Sequence, residues 1–480
     1  MRLWFTSLLI ACCLCNTAFA QNDVWSLQRS VQYAIDHNIS IQQNVLNQRL
    51  AKLALQQSQL AQLPNANVSS SYGRSFGRSV DPTTNQFVEG SSYDFLSLGG
   101  SVDVLVFGWF QKRNNIAKNN FSLKAADADL DQLVNDVSLN VATGYLRALL
   151  AQEQINVARK QVELSDAQLQ QTQAFATAGR LPELNVAQLQ AQLASDSSNL
   201  ITAISDFNAA ILDIKALLNL DFQTDYKLEI PNVNVQDQLA VNSMTPEDIY
   251  YHAAARMGSV RGAQMRLFAA EKNYAATKGT LWPQISLGAQ LGTNWASTYK
   301  EIVGAPKFTG SGTPTGNYVP VLDTILPVYQ PEVTYQTRTI PLGKQIDNNF
   351  RQTVSVNLNI PLFNAWQTQY STRQAKINVL TQQLNKYNTE LKLRQDVYKA
   401  HNDAGNAIQK YKAAARAVEA AQRAYDFAEK RYDLGLTNTV EYLTTQNSLY
   451  QAESRLASAK YDLIFKLKVI DYYLGKELKL

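Results

Sequence analysis

The chain has 480 residues, 45% of them hydrophobic and 18% charged, with a mean hydropathy of -0.24, which excludes both a disordered protein and a helical membrane bundle. Its 44 basic and 40 acidic residues are scattered and leave a net charge of +4, without the basic block that a nucleic-acid footprint needs, so no nucleic-acid partner is expected. Beyond residue 20 no run of eighteen apolar residues occurs, so any crossing of a membrane has to be made by strands.

Residues 1–20 read as a signal peptide: Arg2 gives the positive start, Leu3 to Leu14 the apolar stretch, and Ala18-Phe19-Ala20 a small-x-small cleavage site before Gln21. A second cut, Leu9-Ile10-Ala11 before Cys12, resembles a lipoprotein box with a very short apolar core, and lipidation of Cys12 stays open. Cys12, Cys13 and Cys15 all lie inside the signal, so a mature chain without disulfide or cysteine metal site is expected.

The rest of the chain repeats itself once. Ala34, Ile41, Ala51 and Pro64 recur as Ala253, Val260, Ala270 and Pro283, 219 positions later. Past a variable loop the offset becomes 256, pairing Phe107 with Phe363 and Gly179 with Gly435. The first repeat is expected over 21–219, with an Ala-rich helix ending at Pro64, a strand hairpin about 65–107, a long helix 108–178 and a return helix 182–219. A linker, 220–244, leads to the second repeat, 245–480, with a strand hairpin about 284–363, a long helix 364–434 and a return helix 438–475.

Strand character rests on alternation. Ile285, Leu287, Ala289 and Leu291 interleave with Gln284, Ser286, Gly288 and Gln290, while Val354, Val356, Leu358 and Ile360 interleave with Ser355, Asn357 and Asn359. Val102, Val104 and Val106, with Asn67 to Tyr72 as partner, give a noisier first-half version. One face is apolar and the other carries amides and hydroxyls, as in a barrel with lipid outside and water inside. The loops, Tyr72 to Asp94 and roughly Asn294 to Asn349, hold Gly, Pro, Thr and Asn without a helical period. The rise in offset from 219 to 256 makes the second loop region, between Pro283 and Phe363, 37 residues longer than the first, too long for a simple turn, and in a barrel it would be extracellular, over the mouth or against another protein.

From Phe107 to Gly179 there is no proline for 72 residues, and a helix of that extent is roughly 100 Å long, too long for a compact domain. Its second copy carries a seam of alternating spacing three and four, Val397, Ala400, Ala404, Ala407, Tyr411 and Ala414 onward to Tyr425 and Tyr432. Moving back by 256 gives the same seam at Val141, Gly144, Ala148, Ala151, Ile155 and Ala158. Elsewhere the helices are polar, with amides such as Gln168, Gln188 and Gln192 where a globular core would place leucine. The helix turns, Phe175 to Leu181 and Arg431 to Thr437, center on Gly179 and Gly435, read as left-handed C-caps. Four strands cannot close a membrane barrel, so several chains must share one.

With Tyr72-Gly73-Arg74-Ser75-Phe76-Gly77-Arg78 and Asp81-Pro82 after the first strand, Phe107-Gly108 and Ile360-Pro361-Leu362-Phe363-Asn364 at the strand-to-helix joints, and the duplicated order, the mature chain resembles the TolC family of outer-membrane efflux proteins. The resemblance implies an α+β membrane protein, a homotrimer with a shared 12-stranded β-barrel in outer-membrane lipid, continued by a periplasmic α-helical barrel. It implies that Ala178, Gly179 and Arg180, with Leu434, Gly435 and Leu436, meet a periplasmic adaptor (membrane fusion protein) serving an inner-membrane transporter. It also places a pore constriction at Glu441, with Thr444 where relatives carry a second acid, Asn185 at the matching first-half position, and Tyr432 as the closing aromatic. Thr437 stands where a basic residue is often found, so a charge-pair latch is not expected, and no basic residue lies between Leu436 and Gln451 to compensate Glu441. A solvated glutamate at a helix start is the plain alternative.

No phosphate loop, zinc motif or nucleophile elbow occurs, and His37, His252 and His401 lie in separate segments without ligand partners at helical spacing, so neither enzyme nor cofactor is expected. Two functions remain: a passive outer-membrane exit duct for efflux or type I secretion, and a structural or adhesive periplasmic coiled-coil protein with a soluble sheet.

Overall fold

The computed structural model describes residues 24–77, 79–80, 87–88, 92–231 and 244–476. The expected signal with Cys12, the motif residues Arg78, Asp81 and Pro82, and linker residues 232–243 lie outside the described residues. In chain order the elements are β1 (Val24–Trp25), α1 (Leu27–His37), α2 (Ile39–Leu60), β2 (Asn65–Ser75), β3 (Ser79–Val80), β4 (Phe87–Val88) and β5 (Tyr93–Phe107). There follow α3 (Gln111–Thr177), α4 (Glu183–Leu218), β6 (Lys227–Leu228), α5 (Pro246–Arg256), α6 (Gly258–Gly279) and β7 (Gln284–Ala296). The chain continues through β8 (Lys300–Ile302), β9 (Lys307–Val321), β10 (Thr324–Thr334), β11 (Thr337–Thr339), α7 (Leu342–Asn348), β12 (Arg351–Asn359), α8 (Gln367–Asp433) and α9 (Thr439–Leu474).

Two compact units result. One comprises the described residues of Met1–Ala54, Lys118–Glu271 and Ile377–Leu480, the other Leu55–Ala117 and Lys272–Lys376. The second unit is built on an antiparallel sheet in the order β2-β5-β7-β12. Its register puts Val68, Gly100 and Leu291 on one face, followed by Val102, Ala289 and Val354, then Val104, Leu287 and Val356. The other face carries Asn67, Ser101, Gln290 and Thr353, then Asp103, Gly288 and Ser355. Because side chains alternate along a strand, one apolar and one polar surface follow directly from the sequence pattern. The apolar face is uncovered: Val68 is 92% exposed, Val354 75% and Val356 71%. β2 and β12, the edge strands, have no partner on their outer sides among the described residues.

At the helical end of this sheet the chain turns sharply in both repeats. Trp109 and Phe110 have φ of 49° and 61°, and their counterparts 256 positions on, Ala365 and Trp366, have 51° and 65°. Consecutive non-glycine residues in the left-handed region are costly, roughly 1–3 kcal/mol each, and persist only where packing over-determines them. Here the Trp109 ring packs 4.9 Å from that of Trp282 while its Nε1 donates to the Pro283 carbonyl at 2.9 Å. Trp and Tyr favour membrane–water boundaries, and this end of the sheet gathers Phe107, Trp109, Phe110 and Trp282.

The far end departs from expectation. The stretch 294–349 is not an irregular loop: β8 pairs with β11, β9 with β10, and α7 closes it. Gln345, fully buried, accepts from the Ala296 amide at 3.0 Å and donates to the carbonyls of Ala296 at 3.0 Å and Ile340 at 2.7 Å. Those bonds hold the ribbon stem, whereas the β9–β10 ribbon is exposed over nearly its whole length. Its pairing is interrupted by two irregularities and by Pro314, Pro320, Pro327 and Pro331, which remove the alternation a strand reading depends on.

The other unit is helical. The repeats match in length, 67 residues for both α3 and α8 and 36 for both α4 and α9. Breaks also recur 219 positions apart: α1 ends at Asn38 and α5 at Met257, each donating its amide at 2.8 Å to Ala34 and Ala253. A capping box of Thr245 and Asp248 with Pro246 starts α5. The small seam is buried where expected, Val141, Ala148 and Ala158 on α3 and Val397, Ala404 and Ala407 on α8. α3 packs on α1 and α4 through Ala34, Ile214 and Leu218, and on α9 through Tyr461 and Ile464, while α8 packs on α9 through Leu463 and Leu467. α6 approaches α3 so closely that any Cβ at Gly258 would collide with the Ala128 carbonyl.

Candidate functional site

The two turns lie at the same end of the helical unit, since Gln171 Nε2 donates to Asp433 at 3.1 Å across them. Both have one geometry. Gly179 (φ 72°) donates to Ala176 at 2.9 Å and Arg180 to Phe175 at 2.8 Å; Gly435 (φ 71°) donates to Tyr432 at 2.9 Å and Leu436 to Arg431 at 2.8 Å. These paired bonds, closing on the third- and second-last carbonyls of the helix, define a Schellman cap. The return helices use the same cap with Asn219 and Gly475 in left-handed conformation. Around the turns Ala178 is exposed, Arg180 covers the Phe175 ring at 4.8 Å, and Leu434 and Leu436 are 73% and 65% exposed.

Glu441 sits in the first turn of α9. Asn438 caps that helix, accepting from the Glu441 amide at 2.8 Å. The Glu441 carboxylate accepts from Thr437 Oγ1 at 2.6 Å and pairs with Arg431 at 3.4 Å. The expectation of an uncompensated carboxylate is therefore corrected: Arg431 lies before the turn, outside the stretch from Leu436 to Gln451, and the cap folds it back. Both side chains are more than half exposed, so the pair contributes about 0–1 kcal/mol. Thr444 is exposed and donates to the Val440 carbonyl at 2.7 Å; Asn185 is half-buried in the first turn of α4.

Tyr432 is not on the surface. Its ring stacks on Tyr442 at 4.7 Å, and its hydroxyl lies 3.1 Å from Thr172 Oγ1, joining α8, α9 and α3. Gln168, an amide where a globular core would place leucine, is 6% exposed and donates to Tyr425 at 3.1 Å and also to Tyr442. Burial pushes the Tyr425 phenol up to about 12 and Tyr442 higher still, so both stay neutral donors and acceptors. Farther from the turns Asp196, 2% exposed, accepts from Ser165 at 2.6 Å, Gln192 at 3.0 Å and Gln161 at 3.3 Å. Among the described residues Gln168 Oε1 and Gln446 Oε1 have no hydrogen-bond partner. Near the turns the α3 seam thus changes from Ala and Val to Gln161, Ser165, Gln168 and Thr172, still at spacings of four and three. That unchanged period in polar letters was the available signal.

Among the described residues no helix is long and apolar enough to cross a membrane, and no group of three His, Cys, Asp or Glu could hold a metal ion. An amphipathic antiparallel sheet with an uncovered apolar face, in one chain with duplicated 67-residue helices, defines the class: an outer-membrane protein that meets lipid through strands. The model of the Outer membrane efflux protein family matches residues 31–220 and 249–475, and the chain belongs to that family. Toxin and drug export protein A of Aggregatibacter actinomycetemcomitans is 23% identical over 280 residues, 57% of this chain and 59% of that protein, under two-thirds of its length. Alkaline protease secretion protein AprF of Pseudomonas aeruginosa is 23% identical over 429 residues, 86% of this chain and 77% of AprF. The outer membrane protein VceC of Vibrio cholerae has the same fold, with a TM-score of 0.72 at 14% identity over 94% of this chain and 96% of VceC.

Proposed function

We propose that the chain is the passive outer-membrane exit duct of a tripartite efflux or type I secretion system, working as a homotrimer whose four-stranded sheets close one 12-stranded barrel. The observation that carries this reading is the sheet, with one face apolar and uncovered, the other polar, and both edges open. Open edges are not tolerated in lipid, so copies have to close them. A soluble, adhesive sheet would gain nothing from exposing Val68, Val354 and Val356 in one layer. Exposed stripes on the outlying helices, Leu46, Leu50 and Leu53 on α2 and Ile377, Leu380 and Leu384 on α8, support closure by neighbouring copies. Single-channel conductance in planar bilayers, with native mass in detergent, tests it: conducting trimers are expected, and a water-soluble, non-conducting monomer would leave the adhesive reading.

In this reading Ala178, Gly179, Arg180, Leu434, Gly435 and Leu436 form the end that meets the periplasmic adaptor, through which an inner-membrane transporter delivers cargo. The exposed Leu434 and Leu436 beside two rigid caps support it. The pore constriction is assigned to Glu441, Thr444 and Asn185, backed by Tyr432. Three copies of Glu441 would favour cations, with the three Arg431 side chains reducing the effect. Glu441→Ala is accordingly expected to lower cation preference and divalent block by about twofold, and Arg431→Ala to raise both, each read from reversal potentials. Unchanged selectivity in both variants would move the gate away from this turn.

A further inference from the structure

We infer that the helical walls of neighbouring copies are keyed by charge: the acidic exposed edge of α4 on one copy lies antiparallel along the basic exposed edge of α8 on the next, with Asp206 set beside Lys412 and Arg416. The inference rests on the trimeric reading and specifies how its subunits recognise one another.

Both helices present an unpartnered seam away from their own chain. On α4 it holds Leu184, Ala187, Ala191, Ala194, Ile201 and Leu212, all exposed at multiples of the three-four spacing; on α8 it holds Ala413, Ala417, Ala420, Ala424 and Phe427. The buried sides, through Leu189, Asp196 and Ala203 on α4 and through Ala407, Tyr425 and Tyr432 on α8, are already used within the chain. Within the chain α4 meets α9 through Gln192 and Asn447, and α8 meets α3 through Tyr432 and Thr172, so at 100° per residue each seam lies on the side of its helix turned away from these contacts. A second copy is the occupant that presents both seams at once.

Charge selects which seam meets which. Glu183, Asp206 and Asp213 are the exposed charges of α4, whose one basic residue, Lys215, is buried and donates to the Phe222 carbonyl at 3.0 Å. Lys412 and Arg416 on α8 are exposed and, like Asp206 and Asp213, make no ion pair or hydrogen bond among the described residues. The levels agree as well. Asp206 lies 23 residues after the start of α4, and Lys412 and Arg416 lie 21 and 17 residues before the end of α8, so the three stand about 35, 32 and 26 Å from the turns. α4 runs away from the turns and α8 toward them, so copies arranged around an axis along the helices bring these groups together in antiparallel register.

The test uses the full-length protein extracted in detergent, with the trimer fraction read by native mass spectrometry. Asp206→Lys alone, and Lys412→Glu with Arg416→Glu, are each expected to lower that fraction at least about threefold, and combining them to restore it. Trimers unaffected by the reversals, or a combination no better than its parts, would overturn the keyed edge while leaving a trimeric duct standing. A monomeric, non-conducting wild type would overturn the duct reading with it. Should the reversals fail to fold, Asp206→Cys with Lys412→Cys carries the question: oxidation is expected to give disulfide-linked multimers, and only unlinked chains would refute the contact.

Discussion

Valine at both Gly179 and Gly435 is expected to abolish export while leaving the protein in the outer membrane. Each glycine has φ near 70° with nothing within 4 Å of where a Cβ would lie, so the obstacle is the backbone conformation and not space. A β-branched residue in that region costs roughly 1–3 kcal/mol, and the chain can escape only by breaking the paired cap bonds. The sheet of the other unit is untouched by such a change, which is why insertion survives. Asn219 supplies the control: it holds φ 52° in the same cap, so Gly179→Asn with Gly435→Asn is expected to retain most export. Cell-surface accessibility of the barrel and a drug-susceptibility or secretion assay, scored side by side, check this. Normal export by the valine pair would mean that the turns are not where the adaptor engages.

The duplicated sequence made the long helices legible because period, proline-free length and closing glycine all recur at one offset, and each alone is weak. The two-faced sheet was legible for a similar reason: alternation in β7 and β12 survives because lipid and water ask for different residues on successive positions. What escaped reading is physical in each case. The β9–β10 ribbon has little alternation because neither face is buried against its own chain and its prolines interrupt the pattern. Gln168 was legible only as an amide where a globular core would place leucine, because polar letters hide a core position unless the spacing is followed through them. Arg431 was overlooked as the partner of Glu441 because the cap reverses the chain between them, so ten residues of sequence become one ion pair. The left-handed Trp109-Phe110 joint carries no glycine to announce it.

The polar layer behind the turns bears on how the proposed duct would open. Tyr425, Tyr442, Gln168 and Thr172 tie α3 to α8 and α9, yet Gln168 Oε1 and Gln446 Oε1 have no hydrogen-bond partner among the described residues. This end of the helices is held in one arrangement by directional bonds and not by apolar packing alone. The packing farther along, through Ala142, Leu149 and Ile464, is apolar. The difference puts the readily separable part of the helical unit next to the turns.

Arginine at Val356 and arginine at Asn357 should have opposite outcomes, although the positions are adjacent in β12. Val356 lies across from Leu287 on the uncovered apolar face, and Asn357 across from Ser286 on the polar one. With lipid on the apolar face, a charge at Val356 costs about 2–4 kcal/mol near mid-membrane, enough to prevent stable insertion of a barrel whose every copy carries the change. On the polar face the same side chain reaches water; Asn357→Arg is expected to insert normally and to alter only conductance and ion preference. Heat-resistant assembly in outer-membrane fractions separates the pair, with Val356→Arg assembling at least about tenfold less than wild type. The comparison also decides between the two readings of the fold. In a soluble sheet both positions would be solvated and both variants would accumulate alike, whereas in the barrel a shift of one residue moves the charge from lipid to water.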